Sequence, residues 1–328
     1  MNDATTLNAT DREICAALLR NGRATWRLIA SAIDVPERTV ARRAQAMLHS
    51  EQVRVSALIT PEILGRDLAF VMRVTCEPRN LRHIARWFAR RDETLWVATL
   101  ASSSTVLAEC HTSSDGYADF IERKVADLRI VDYAFTPIHT YHRTVRGWQT
   151  DILSPEKLAI LGEDESSALR VEQATSGELD DIERGIVAQL SQDGRRPTDA
   201  IAAALGLSKA VVRKKLYDLQ ASDRVSIRAV IEPSLLGYPF EVLVNVHGSP
   251  EQREHAARIL AADGRTRLAM DTPADGGIHA LIALRHPRDL QSFLQGVSDS
   301  GAAVDAEPLL TTYKRSGYVL PAAAGDAD

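Results

Sequence analysis

Cysteine is scarce: Cys15, Cys76 and Cys110 are the only three in 328 residues. An odd count without metal-ligand spacing indicates neither a disulfide framework nor a zinc site. The three read as buried or partly buried thiols of a cytoplasmic protein. No apolar run approaches membrane-spanning length, so no membrane partner is expected. The opening MNDATTLNATDRE has neither the basic nor the apolar region of a signal peptide. Positive charge is not in excess, with a net charge of −5 and a pI near 6.0. Taken alone, that balance does not suggest a nucleic-acid binder. The nine histidines are scattered, and His139 and His142 fall on opposite faces of a strand. A Gly-rich phosphate loop, a nucleophile elbow and a framed carboxylate pair are all missing. No cofactor, metal or enzymatic activity is indicated.

What the chain does have is a repeat. Pro36 to His49 reads PERTVARRAQAMLH. Val40, Ala44, Met47 and Leu48 share one helical stripe, while Arg38, Arg42, Gln45 and His49 share another, with Arg43 beside it. Adding 172 gives Ser208 to Ala221, SKAVVRKKLYDLQA, in which Val212, Leu216 and Leu219 keep the apolar stripe. The same offset pairs Gly22-Arg23 with Gly194-Arg195, Ile29-Ala30 with Ile201-Ala202, and Leu64-Gly65 with Leu236-Gly237. Further on, a one-residue shift aligns Phe120 with Phe293 and Val131-Asp132 with Val304-Asp305, and Tyr141 returns to the original offset with Tyr313. The period is far too long for a solenoid, so a whole pair of domains is duplicated. Charge follows the repeat. Eight Arg against five acids give +3 over Asp11 to Arg54, and nine Lys/Arg against five acids give +4 over Glu183 to Arg228.

Each half has the same programme. In the first, three short helices, with Thr25 capping the second and Pro36 opening the third, form a helix-turn-helix with a strand or wing at 53–58. A β-α-β-β-α-β order follows, ending in one long strand from Val131 to Arg143. Both helices of such a unit cover one sheet face. The bare face requires a cover, and the sheet of the other half is the obvious one. The expected fold is α+β, with domains at 7–58 (helix-turn-helix), 67–145 (ferredoxin-like), 178–230 (helix-turn-helix) and 239–316 (ferredoxin-like). Residues 146–177 read as a connector, acidic and mobile beyond Gly162, and 317–328 as a disordered tail.

This order and the local wording resemble the Lrp/AsnC family of bacterial and archaeal regulators. The resemblance rests on Leu179-Asp180 through Ile186 and Leu190, Asp193-Gly194-Arg195, Ile201-Ala202, Leu205 to Ser208, and Ile231 to Pro233 with Leu235-Leu236-Gly237. The first half keeps Asn21-Gly22-Arg23 and Ile63-Leu64-Gly65. It implies a transcription regulator that binds double-stranded DNA and assembles into homo-oligomers through sheet domains, often called RAM domains. With two units fused, one chain is expected to act as its own pseudo-dimer. The candidate DNA contacts are Arg38, Thr39, Arg42, Arg43, Ser208, Lys209, Arg213, Lys214 and Lys215. Arg addresses guanine bidentately whereas Lys is more often a point charge to phosphate, so the first helix is expected to select sequence and the second to add general affinity. The family's effector turn corresponds to Ser102, Ser103 and Ser104 in the first half, and to a stretch including Asp271, Thr272 and Asp275 in the second. Small polar residues there read first as turn chemistry and second as a site for an amino acid or other small molecule. The sirohaem decarboxylases resemble the same fused layout and give an enzyme alternative, although their aromatic-rich motif is not evident in the long last strands. A scaffold using its helix-turn-helix units for protein contact is a third reading.

Overall fold

The computed structural model describes residues 7–126, 128–162, 178–272 and 276–320. The acidic part of the connector, Asp275 and the segment after Leu320 lie outside them. In chain order the elements are α1 (Ala9–Arg20), α2 (Trp26–Ile33), α3 (Glu37–His49), β1 (Val53–Ile59), β2 (Leu68–Cys76), α4 (Leu81–Ala89), β3 (Thr94–Leu100) and β4 (Thr105–Thr112). Next come α5 (Tyr117–Asp119), which runs on as a π-helix (Phe120–Val125), then β5 (Ile130–Pro137), β6 (Thr140–Arg143) and α6 (Pro155–Ile160). The second half has α7 (Asp181–Gln192), α8 (Thr198–Leu205), α9 (Lys209–Ala221), β7 (Val225–Ile231), β8 (Phe240–His247), α10 (Pro250–Ala262), β9 (Thr266–Thr272), β10 (Gly277–Leu284), α11 (Asp289–Ser298), β11 (Ala303–Arg315) and β12 (Tyr318–Val319). The expected disordered tail therefore begins with a strand, since Tyr318 and Val319 pair with Arg315 and Lys314.

Like packs with like. Met1–Leu64 and Arg146–Pro239 form one compact unit, and Gly65–Val145 and Phe240–Asp328 form the other.

In the first unit, each helix-turn-helix is built on the same four side chains. Ile14, Leu18, Ile29 and Val40, and their equivalents Ile186, Leu190, Ile201 and Val212, are all fully buried. Turn geometry repeats as well. Asp34 and Gly206, 172 apart, both end the middle helix in the left-handed region, at φ 55° and 65°. The wings β1 and β7 pair antiparallel, from Val53 with Ile231 to Ile59 with Val225, so Ser56 meets its own equivalent Arg228 at the centre. That register is a pseudo-two-fold axis. Around it, the Gly-Arg turns interlock. Gly22 lies against Ile227 and Arg228, and Gly194 against Val55 and Ser56, so close that a Cβ on either would stand 2.8 Å from backbone atoms. Arg23 donates to the carbonyl of Gly194 at 2.6 Å and Arg195 to that of Gly22 at 2.6 Å. Arg195 also lies 3.8 Å from the centre of the Trp26 ring. Burial first, and Arg23 second, bring the Arg195 guanidinium down to about 10. Replacing Gly194 with valine should cost about 1–3 kcal/mol by forcing the wing aside. Denaturant unfolding reads this, and an unchanged midpoint would refute the interlock. The connector start joins this unit. Trp148, Leu153 and Leu161 are buried, and Lys157 reaches Glu13 at 2.5 Å.

The second unit holds one ten-stranded sheet, ordered β5-β2-β4-β3-β11-β8-β10-β9-β6 with β12 on β11, whose two four-stranded halves are the sheets β5-β2-β4-β3 and β11-β8-β10-β9. Phe70, Met72, Val97 and Ala108 face α4 and the π-helix, while Val242, Val244, Ala280 and Ile282 face α10 and α11. The bare faces meet each other: Val71, Trp96, Leu100 and Leu107 pack with Leu243, Leu268, Met270 and Leu281. The surface expected to join separate subunits is thus occupied inside one chain. The long last strand of the first half is broken. Its first part, β5, stays on its own sheet, and its second part, β6, crosses to β9. The strand β11 does the same without a break, leaving β8 for β3. Pairing corrects two alignments made from sequence. Thr136 faces Val71 while Glu307 faces Leu243, and Val71 and Leu243 are 172 apart, so the last strands match at 171. Tyr141 opposite Met270 therefore corresponds to Thr312 opposite Ala98, not to Tyr313. Tyr141 packs in the layer between the sheets, whereas Tyr313 points to the helix side.

Candidate nucleic-acid interface

The helices α3 and α9 are the same object in two chemistries. Both have 13 residues, and each seats three side chains in its own bundle: Val40, Ala44 and Met47 in one, Val212, Leu216 and Leu219 in the other. The Met47 sulfur lies 3.7 Å from the Cys15 thiol, whose pKa burial pushes up. Ser208 caps α9 by accepting from the Val211 amide at 3.3 Å, whereas Pro36 gives α3 no side-chain cap. The Ser208 hydroxyl thus has a structural partner before any ligand arrives.

The remaining candidates divide by exposure and pairing. Arg38 and Arg42 on α3, and Lys209, Arg213 and Lys214 on α9, are exposed, and among the described residues none of them forms an ion pair. Thr39 is half-buried. Arg43 and Lys215 are drawn back into their own bundles. Arg43 binds Asp11 of α1 at 3.1 Å, and Lys215 binds Asp180 at 2.6 Å and Glu183 of α7 at 3.2 Å. Hydrogen bonding from Lys215 first, then the Glu183 amide, holds the Asp180 carboxyl below its ordinary range. These two pairs are one repeated feature, because Asp11 and Glu183 are 172 apart, as are Arg43 and Lys215. The repeat was the signal that identifies them as structural. It also marks Arg23 and Arg195, to which sequence reasoning gave no role of their own. Interlocked at the pseudo-axis, they hold the bundles of α3 and α9 together.

The effector candidates have local partners. Ser102 donates to Glu307 at 3.4 Å and Ser103 to Thr105 at 2.9 Å. The Ser104 carbonyl accepts from the Cys76 amide at 3.0 Å. Thr272 is buried and donates to the Gly277 carbonyl at 3.0 Å. The Asp271 carboxylate stands 4.0 Å from Arg253. Asp275 lies outside the described residues. Among those residues, no group of three His, Cys, Asp or Glu side chains is placed to hold a metal, and no helix is long and apolar enough to cross a membrane.

Comparison with known proteins agrees with this geometry. The AsnC-type helix-turn-helix domain matches twice, over residues 7–48 and 179–220. An uncharacterised HTH-type transcriptional regulator of Pyrococcus furiosus is 34% identical over 88 residues, 26% of this chain and 60% of that protein. That match spans less than two thirds of the relative. The HTH-type transcriptional regulator LrpA of Pyrococcus horikoshii is 29% identical over 117 residues, 35% of this chain and 83% of that protein. Among solved structures, the siroheme decarboxylase NirDL aligns over 94% of this chain and 93% of its own, with a TM-score of 0.60 and 12% identity. At that identity the likeness is one of fold. The chain carries an AsnC-type helix-turn-helix domain in each half, the two 172 residues apart.

Proposed function

We propose that this protein is a sequence-specific DNA-binding transcription regulator that reads its site with α3 and α9 together. The observation that carries the reading is the sorting of cations. Each helix keeps its carboxylate-bound cation inside and presents its others outward, where phosphates and base edges would meet them. The pseudo-two-fold at Ser56 and Arg228 then supplies, within one chain, the pairing that a dimer supplies for two half-sites.

The experiment is titration of a labelled duplex by the full chain across a salt series. Affinity should fall steeply with salt, as phosphate contacts release counterions. An absence of binding at low salt would refute the reading. Arg43→Ala and Lys215→Ala provide an internal check. Each should change stability little, since both pairs are partly exposed, and leave the salt slope unchanged. A slope reduced by about one in either variant would place that cation on phosphate instead.

The reading assigns no amino-acid effector to the Ser102–Ser104 turn, because the hydroxyls of Ser102 and Ser103 have protein partners. Nor does it assign oligomer formation to the sheet faces that already cover each other. The decarboxylase alternative has fold likeness behind it. Strong absorbance near 400 nm on mixing with a tetrapyrrole, without any DNA shift, would favour it.

A further inference from the structure

We infer that the two half-sites are read by different chemistries: α3 by hydrogen bonds to guanine, and α9 by apolar contact with the C5-methyl groups of thymine. This rests on the regulator reading above. The helices share length and buried side chains, so positions 172 apart project the same way from equivalent domains. In helix-turn-helix docking the first turns of the second helix meet base edges. There α3 presents Arg38, Thr39 and Arg42, followed by Gln45 and His49. The corresponding positions of α9 are Ala210, Val211, Lys214, Tyr217 and Ala221.

Four of the five hydrogen-bonding side chains of α3 are thus replaced by apolar or aromatic ones. They are not turned inward. Val211 is 39% exposed and Tyr217 61%, and Ala210 is exposed beside them. A single exposed apolar residue needs no explanation. This group, however, lies on the outward line of the helix, flanked by the unpaired Lys209, Arg213 and Lys214. Those cations direct the face toward a polyanion. The thymine methyl is the apolar group that the major groove offers, and small apolar side chains recognise it. The α9 half-site should therefore be rich in thymine at the positions facing Ala210 and Val211. The α3 half-site should carry guanine facing Arg38 and Arg42.

The test uses duplexes enriched by the full chain from a random-sequence pool, remade with deoxyuridine for thymidine in one half at a time. This substitution removes the methyl and leaves base pairing intact. Binding should weaken about fourfold for each contacted methyl, in one half only. Val211→Ser, at an exposed position, should abolish the difference between thymidine and deoxyuridine, while Arg38→Ala should leave it unchanged. If deoxyuridine is tolerated in both halves, or Val211→Ser keeps the discrimination, the inference is overturned, the regulator reading stands, and the Val211–Tyr217 face is left to a protein partner. If no sequence is enriched, the regulator reading and this inference both fall.

Discussion

Glu241→Gln is expected to destabilise the protein by about 3–5 kcal/mol, the usual consequence of removing one partner from a buried ionic group. The Glu241 carboxylate sits between two guanidiniums, 2.8 Å from Arg315 and 2.7 Å from Arg267, whose side chains are 2% and 5% exposed. Its strand position, two before Leu243, puts it on the face that meets the other sheet. Burial raises its pKa, but Arg315 and Arg267 outweigh burial and hold it below the ordinary carboxylate range. The neutral amide would leave two desolvated cations facing each other. A depressed carboxyl contributes stability above its unfolded pKa, near 4.3, and loses it as pH falls through the lower folded value. The unchanged protein should therefore lose stability in acid below about pH 4, and Glu241→Gln should show a flatter acid limb from a lower plateau. Urea unfolding at neutral and acid pH measures both. Equal neutral stability would show that the guanidiniums find sufficient compensation elsewhere.

On the DNA side, the double change Arg38→Ala with Arg42→Ala has the largest expected effect. A bidentate arginine–guanine contact contributes roughly 1–3 kcal/mol of discrimination. Losing even one should weaken binding to the preferred site about tenfold or more, and flatten the preference among variants of that half. Lys214→Ala, removing a point charge at the position equivalent to Arg42, should weaken all duplexes alike and reduce the salt slope by about one. Quantitative binding to a panel of site variants separates the two. Flattening by Lys214→Ala alone would reverse the assignment.

Local features of the fold were legible. The apolar stripes of α3 and α9, the Thr25 cap and the β-α-β-β-α-β order need only neighbouring residues, and their boundaries came close to those observed. What escaped depends on partners far away in sequence. The break between Pro137 and Thr140 lets β6 leave its own sheet, and only the distant β9 explains why. The match of the last strands at 171 is likewise fixed by ladders, where a slip of one residue turns every side chain to the other face. At α3 and α9, the cations were legible in the sequence but their orientation was not. Arg43 and Arg42 are adjacent, yet one meets Asp11, 32 residues upstream, while the other faces outward. The repeat did contain that answer, since acid and base persist together at 11 with 43 and at 183 with 215.

We propose that one chain carries two unequal readers on a shared pseudo-axis. Its most direct test is to enrich duplexes from a random-sequence pool with the full protein, and again with Arg42→Ala. A site of two dissimilar halves is expected, of which one alone degenerates in the variant. A perfect palindrome, or degeneration of both halves together, would contradict it.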